Sequence, residues 1–286
     1  MKKITKAVIP VAGLGTRFLP ITKGVAKELL PIIDKPALQY IIEECVASGI
    51  EEIYLITSPL KPAIKNYFSK NIKLEKFLSS KEKYEELKLV QNISNICKIY
   101  YLVQKEPLGS GHAVNLAQKY IKNESFAVLY GDDLMSYDKP VLKQLIEVYE
   151  KNDSNVLGVK KVKDDLVNRY GIIEFEDENL MKVKSIVEKP NIDSAPSNIA
   201  SLGRYILKPE IFNELDNLKM TNKEYQLTNA IDNLMQKQDF YACEFVGDYY
   251  DIGSKFGYLK ANIEFGLKRD DIKNELQNYL KNIKMD

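Results

Sequence analysis

Ala7-Val8-Ile9-Pro10-Val11-Ala12-Gly13-Leu14-Gly15-Thr16-Arg17 is the stretch on which the fold turns. The apolar run from Ala7 to Ala12 is too short for a buried helix, and it reads as a strand covered on both faces of a sheet. Gly13 and Gly15 then allow backbone amides to approach a ligand closely, at the end of a sheet strand where α/β proteins bind phosphates. Taken alone, the loop fits a tight strand–helix turn equally well. A dinucleotide fingerprint needs a third glycine where Phe18 stands, and the Gly-Lys-Ser/Thr of a P-loop is absent. With Met1 to Lys6 ahead of it, the run looks superficially like a secretory leader. Pro10 and Gly13 break the apolar stretch and Arg17 soon follows, so the reading is a buried first strand in a cytoplasmic protein.

Outward from this loop, residues 53–57, 99–103 and 126–130 repeat the short apolar run. Helical patterns separate them. Asp34-Lys35-Pro36 predicts a capped helix start running to Ser48-Gly49, and residues 111–121 and 140–151 are two further helices. Alternation of this kind predicts a mostly parallel sheet flanked by helices. A charged, helical insertion occupies residues 61–98. The second half is less regular, with strand candidates at 156–159, 171–175, 183–187, 200–207, 241–246 and 249–252. Several lie too close together for helical crossovers, so some pairs are antiparallel. The expected organisation is one mixed α/β domain, residues 1–253, and a C-terminal helical extension, residues 254–286. Phe256, Leu259, Ile263, Phe265 and Leu267 are too apolar for a free helix, so the extension must pack on the core or on another subunit. Its removal after Gly253 is expected to disturb assembly more than the phosphate loop.

Composition narrows the function. Among 286 residues, 41 Lys and Arg balance 40 Asp and Glu, which argues against binding nucleic acid by bulk charge. No apolar run reaches the length of a membrane span, so no membrane partner is expected. Three scattered cysteines and a lone histidine, His112, exclude zinc fingers, multi-histidine metal sites and most disulfide scaffolds.

Several short motifs carry chemistry. Arg17 and Lys27 bracket the glycine loop, and two cations there suit a polyphosphate whose charge concentrates during transfer. Tyr130-Gly131-Asp132-Asp133 ends a strand, and Tyr250-Asp251-Ile252-Gly253 repeats the pattern downstream. Carboxylates at such strand ends suit Mg²⁺, which takes oxygen ligands. Composition does not separate Asp132 from Asp133. In Glu188-Lys189-Pro190 the proline predicts an extended Lys189. The carboxylate suits a sugar hydroxyl and the ammonium a phosphate. Leu108-Gly109-Ser110-Gly111-His112 is a second glycine-rich turn, with Gln104 before it. A glutamine amide can meet both a donor and an acceptor on a pyrimidine edge. Each motif alone is also an ordinary turn or surface charge.

Together, and in this order, they resemble the sugar-1-phosphate nucleotidyltransferases. Residues 7–20 carry the family's signature. Lys27-Glu28-Leu29-Leu30-Pro31, Asp34-Lys35-Pro36, Gly109 to Ala113, Tyr170-Gly171, Val187 to Pro190, Ala195-Pro196-Ser197-Asn198 with Gly203-Arg204-Tyr205, and Gln226-Leu227-Thr228 follow, over about residues 5 to 268. The Pro-Val-Ala-Gly-Leu-Gly-Thr-Arg wording is similar to that of members joining UTP to glucose 1-phosphate. The resemblance implies a Rossmann-like nucleotide-diphospho-sugar transferase fold, Mg²⁺ as cofactor, and a homodimer or homotetramer. It implies that Ala12, Gly13, Gly15, Glu28 and Asp132 hold the nucleotide, with Gln104 and Gly109 at the uracil. Arg17 and Lys27 would be catalytic, and Asp132 and Asp251 the metal ligands. Gly171, Glu188 and Lys189 would hold the sugar phosphate. Where relatives read Leu-Thr-Asp-Ala, this chain has Leu227-Thr228-Asn229-Ala230, so Asn229 is left out of the site. The rival readings are the same transfer from dTTP, and a non-catalytic nucleotide-binding subunit, which loss of Arg17, Lys27 or the aspartates would have favoured.

Overall fold

Pro10, which has no amide to give to a ladder, ends the first strand, β1 (Lys6–Pro10). The extended backbone continues into the loop, where the Val11 amide donates to the Ile56 carbonyl at 2.8 Å. The computed structural model describes residues 3–221 and 223–284, so Met1, Lys2, Asn222, Met285 and Asp286 lie outside the described residues.

A small hairpin follows, β2 (Pro31–Ile32) and β3 (Lys35–Pro36), and then α1 (Ala37–Ala47). The hairpin overrides the capped helix start expected at Asp34: Lys35 and Pro36 are held in strand, and Asp34 pairs with Arg269. Next come β4 (Glu52–Thr57), three helices α2 (Pro62–Phe68), α3 (Ile72–Ser80) and α4 (Tyr84–Ser94), and β5 (Lys98–Val103). The single helix expected over 111–121 is two, α5 (Ser110–Asn115) and α6 (Gln118–Ile121). β6 (Phe126–Leu129) leads into β7 (Asp133–Ser136), a strand the sequence pattern hides because it begins inside an Asp-rich turn.

The second half runs α7 (Val141–Asn152), β8 (Asn155–Lys161), β9 (Gly171–Asp177), β10 (Lys182–Glu188), β11 (Ile199–Leu207), α8 (Ile211–Asp216) and α9 (Leu227–Met235). β12 (Phe240–Glu244), β13 (Asp248–Asp251), α10 (Lys255–Gly266) and α11 (Lys273–Asn282) complete it.

Nine strands form one mixed sheet in the order β5-β4-β1-β6-β11-β8-β12-β10-β9. The first four are parallel neighbours, as is the pair β8–β12. The remaining neighbours are antiparallel, and β9 bends back to pair with β11, which closes that half of the sheet on itself. β13 and β7 form a separate antiparallel ribbon. Strand alternation sorts the core onto two faces. Ala7 and Ile9 pack with Leu38 and Ile41 of α1 and Leu145 of α7, while Val8 packs with Val114 of α5 and Ile231 of α9. Burying each such aliphatic side chain contributes about 1.5–3 kcal/mol. Cys45, Cys97 and Cys243 are free thiols, and among the described residues no helix is long and apolar enough to cross a membrane.

The C-terminal helices do not stand apart from the phosphate loop. Tyr258 of α10 sets its ring edge-on to Phe18, centroids 5.6 Å apart, and donates its hydroxyl to the Pro31 carbonyl at 2.6 Å. Ser254 caps α10 and also donates to the Asp251 carbonyl at 3.0 Å. Removal of residues after Gly253 would therefore also take away contacts to Phe18 and Asp251, beside the larger effect expected on assembly. Phe256 and Leu259 remain exposed on α10.

Candidate active site

The C-terminal ends of parallel strands share one edge of the sheet, so the loops leaving β1, β5 and β6 converge there. They form one wall of a cavity of about 540 Å³, and the closed half of the sheet forms the other. All thirteen residues singled out in the sequence line it: Ala12, Gly13, Gly15, Arg17, Lys27, Glu28, Gln104, Gly109, Asp132, Gly171, Glu188, Lys189 and Asp251. Asn229 does not; its amide donates to the Thr221 hydroxyl at 3.1 Å on the surface.

In the centre, Lys27 Nζ donates to Asp132 Oδ2 at 2.6 Å. Burial would lower the Lys27 ammonium, but Asp132 and Glu28 beside it outweigh burial and hold it above its ordinary value. Burial would raise the Asp132 carboxyl, and Lys27 outweighs that, leaving it below its ordinary value. Asp251 is pushed up by burial and by the Asp132 charge. A methyl group placed on Gly253 would lie 2.9 Å from Asp132 Oδ2 and 3.1 Å from Asp251 Oδ1, so both oxygens face the same small volume. That volume has a purely oxygen donor set, which fits a hard divalent cation such as Mg²⁺. Among the described residues no group of three or more His, Cys, Asp or Glu side chains is placed to hold a metal, so a cation here would need substrate oxygens as well.

Asp133 faces a different environment. It is 9% exposed, and its Oδ1 accepts from the Tyr249 hydroxyl at 2.7 Å. Burial and the neighbouring Asp132 charge push its carboxyl up to about 7. Its Oδ2 lies where a side chain on Gly203 would begin, 1.9 Å from an ideal Cβ, and Gly203 is at φ 51°, so only glycine fits.

Two buried ion pairs brace these loops, and although Glu28 and Arg204 stand in the motifs quoted above, neither pairing is visible in the sequence. Lys61 Nζ donates to both Glu28 oxygens, at 2.9 and 2.8 Å, and to the Val11 carbonyl at 2.8 Å. Glu28 thus reaches the cavity wall with its carboxylate already taken. Burial raises Glu28 and lowers Lys61, and each partner offsets part of the other's shift. Arg204, fully buried, donates to Glu44 Oε2 and to the Asp133 carbonyl, both at 2.8 Å, which pins the turn carrying Asp132. The partners lie 33 and 160 residues apart, too far for any spacing rule to link them.

At one end of the cavity stands Gln104, 4% exposed and fixed by its amide to the Thr57 carbonyl at 2.8 Å. Its Nε2 lies 3.1 Å from the Gly109 carbonyl and 2.9 Å from His112 Nδ1. Gly109 sits at φ 98°, and an ideal Cβ there would be 2.7 Å from the Tyr225 carbonyl oxygen. Any larger residue would push this turn off Tyr225.

At the other end, strand register does the assembly. Glu188, last in β10, pairs with Gly171, first in β9, and Ser201 of β11 pairs with Gly171 from the other side. The Thr228 hydroxyl donates to Glu188 Oε2 at 2.8 Å. The buried Ser201 hydroxyl has no partner among the described residues. Lys189 is not extended, as the proline after it suggests: it adopts a left-handed φ of 47°, with its amide bonded to the Tyr170 carbonyl at 3.0 Å. That hydrogen bond folds the chain back over β9 and overrides the local preference. Lys189 Nζ lies 3.1 Å from Glu188.

Known proteins resemble this chain over nearly its whole length. The family model described as nucleotidyl transferase matches residues 6–266. UTP–glucose-1-phosphate uridylyltransferase 1 of Staphylococcus saprophyticus is 46% identical over 284 residues, covering 98% of this chain and 99% of that protein. The structure of UTP-bound UGPase from Acinetobacter baumannii has a TM-score of 0.90 at 37% identity, covering 98% of this chain and all of that one. A UDP-glucose pyrophosphorylase complexed with UDP-glucose has a TM-score of 0.83 at 38% identity, covering 93% of this chain and 100% of the other.

Proposed function

The chain belongs to the nucleotidyl transferase family, and from that premise we propose that it converts UTP and α-D-glucose 1-phosphate to UDP-glucose and pyrophosphate. One observation carries the reading: residues scattered from Ala12 to Asp251 line a single cavity, with the cations Arg17 and Lys27 and the carboxylates Asp132 and Asp251 between the Gln104–Gly109 end and a hydroxyl-rich end.

In this reading a phosphate oxygen of glucose 1-phosphate attacks the α-phosphorus of UTP in line, and pyrophosphate leaves. The attacking phosphate is ionised at neutral pH, so no general base is required. Catalysis rests on positioning and charge neutralisation. The backbone around Ala12, Gly13 and Gly15 holds the nucleotide phosphates, and Arg17 and Lys27 neutralise charge on the transferring group. Gln104 and Gly109 meet the uracil. Gly171, Glu188 and Lys189 hold the sugar phosphate, and Glu28 acts from behind, through Lys61, on the shape of the loop. Asp132 and Asp251 would hold Mg²⁺, which when bound would offset the phosphate charge.

The three free thiols support a reducing compartment, in keeping with a cytoplasmic enzyme. The exposed Phe256 and Leu259 of α10 support assembly into a homodimer or homotetramer. The test of function is direct. Purified protein with UTP, glucose 1-phosphate and Mg²⁺ should release pyrophosphate and form UDP-glucose; no pyrophosphate, or faster turnover with dTTP than with UTP, would overturn the reading.

A further inference from the structure

We propose that His112 is a positioning residue that makes the cavity select uracil, by fixing which way round the Gln104 amide sits. The inference rests on the UTP reading above and adds to it the source of base specificity.

The geometry determines the amide's orientation. A backbone carbonyl can only accept, so the Gln104 atom 3.1 Å from the Gly109 oxygen must be the NH₂ nitrogen. That same nitrogen lies 2.9 Å from His112 Nδ1. Its second hydrogen therefore points at the imidazole, and Nδ1 must be the unprotonated ring nitrogen, with the proton on Nε2. Both amide hydrogens are then used within the protein, and Gln104 offers the cavity only its Oε1, an acceptor. Oε1 has no hydrogen-bond partner among the described residues, nor has the Gly109 backbone amide, which is a donor lining the same cavity.

One fixed acceptor beside one fixed donor matches uracil, whose N3 carries a hydrogen and whose neighbouring O4 accepts. Cytosine presents the reverse, an unprotonated N3 and an amine. Binding it would set acceptor against acceptor and donor against donor, unless Gln104 turned over. Turning over would place Oε1 against the Gly109 oxygen, and against a bare Nδ1 as long as the imidazole keeps its proton on Nε2, leaving buried acceptors facing one another. His112 thus supplies one of the two contacts that forbid the flip. The turn is rigid enough for this: Tyr225 accepts from the Gly111 amide at 2.7 Å and donates to the Leu108 carbonyl at 2.8 Å. Thymine shares the uracil edge, so this device sorts UTP from CTP and leaves dTTP untouched.

The test uses nucleotide binding by the full-length protein, read as the ratio of Kd for CTP to Kd for UTP in isothermal titration calorimetry with Mg²⁺. In His112→Phe the ratio should fall by roughly tenfold, about the value of one hydrogen bond, while the KM for glucose 1-phosphate stays put. His112→Asn, whose Oδ1 can stand near the position of Nδ1, should keep most of the wild-type ratio. An unchanged ratio in a folded His112→Phe protein would overturn the proposal, as would equal losses of CTP and UTP affinity. Nitrogen-15 NMR of the wild-type imidazole tests the tautomer without any variant: Nε2–H with a bare Nδ1 supports the proposal, and Nδ1–H refutes it. A wild type that binds UTP selectively but releases no pyrophosphate would sink the reaction and leave this inference standing. A wild type that binds both nucleotides alike would sink the inference.

Discussion

The nucleotide end of the cavity hangs from four parallel strands, β5-β4-β1-β6, and the sugar end from strands that mostly alternate in direction and close on themselves, β11-β8-β12-β10-β9. In the first region each strand delivers its C-terminal loop to the same edge, so function can be written in contiguous stretches. Gly13 to Arg17 follow β1, Gln104 follows β5 and Asp132 follows β6. In the second region no single loop suffices. Glu188 and Gly171 meet because they are register partners, and Ser201 joins them because β9 bends back onto β11. The parallel half concentrates charge around the transferring phosphates and the antiparallel half sets one charged pair, Glu188 and Lys189, among hydroxyls, so the two should fail differently when cut.

The sharpest way to break the comparison is Lys27→Ala. A cation on the transferring phosphoryl group is worth on the order of 10³-fold in turnover. Lys27→Ala, and Arg17→Ala after it, should lose about that much kcat with circular dichroism unchanged. Activity within a few-fold of wild type would remove the parallel half from the chemistry. Next in size is the contrast between neighbouring aspartates. EDTA should abolish turnover and Mg²⁺ restore it. Asp132→Asn should not be rescued at ordinary metal concentrations, whereas Asp133→Asn should retain most activity, because its carboxyl is turned to Tyr249 and away from Lys27.

The same pair gives a pH signature in metal-free protein. The folded Asp133 carboxyl is raised from 3.8 to about 7, so unfolding releases a proton between those values. Stability should therefore fall as pH rises across that window and flatten above it. Thermal melts in EDTA from pH 5 to 8 should show the slope in wild type and lose it in Asp133→Asn. A slope that survives that substitution would assign it to other groups.

Glu188→Gln addresses the antiparallel half. Losing a charged hydrogen-bond acceptor costs about 1.5–3 kcal/mol, or roughly 10- to 100-fold in affinity. The KM for glucose 1-phosphate should rise by that factor, with the KM for UTP little changed. Equal changes in both would mean that the two ends of the cavity are not separable.

The contrast also explains what is legible in the sequence. Strands β1, β4, β5 and β6 announce themselves as short apolar runs because parallel strands are buried on both faces. The motif residues can be picked out because each sits in a turn with a distinctive composition. Lys61 cannot, and Arg204 stands in a quoted motif without revealing its role, since their partners Glu28 and Glu44 are brought to them only by tertiary packing. β7 hides behind the Asp132-Asp133 turn, and the left-handed Lys189 escapes local rules because a hydrogen bond to Tyr170 outweighs the preference imposed by Pro190. His112 stands out as the lone histidine, but nothing in its neighbours along the chain points to Gln104's amide.

The smallest expected effect tests the seam between the parallel half and the C-terminal helices. Tyr258 touches Phe18, one residue beyond Arg17, and its hydroxyl holds the Pro31 carbonyl at 2.6 Å. Tyr258→Phe keeps the ring contact and deletes only that hydrogen bond. At an exposed position its loss should cost at most about 1 kcal/mol, or a Tm shift of about 2 °C for a chain of this size. Turnover should change by less than the KM for UTP, because the bond steadies the segment after Lys27 without touching a reacting atom. If neither Tm nor the KM for UTP moves, α10 merely lies against the loop; a loss of turnover as large as that of Lys27→Ala would instead place the seam inside the catalytic machinery.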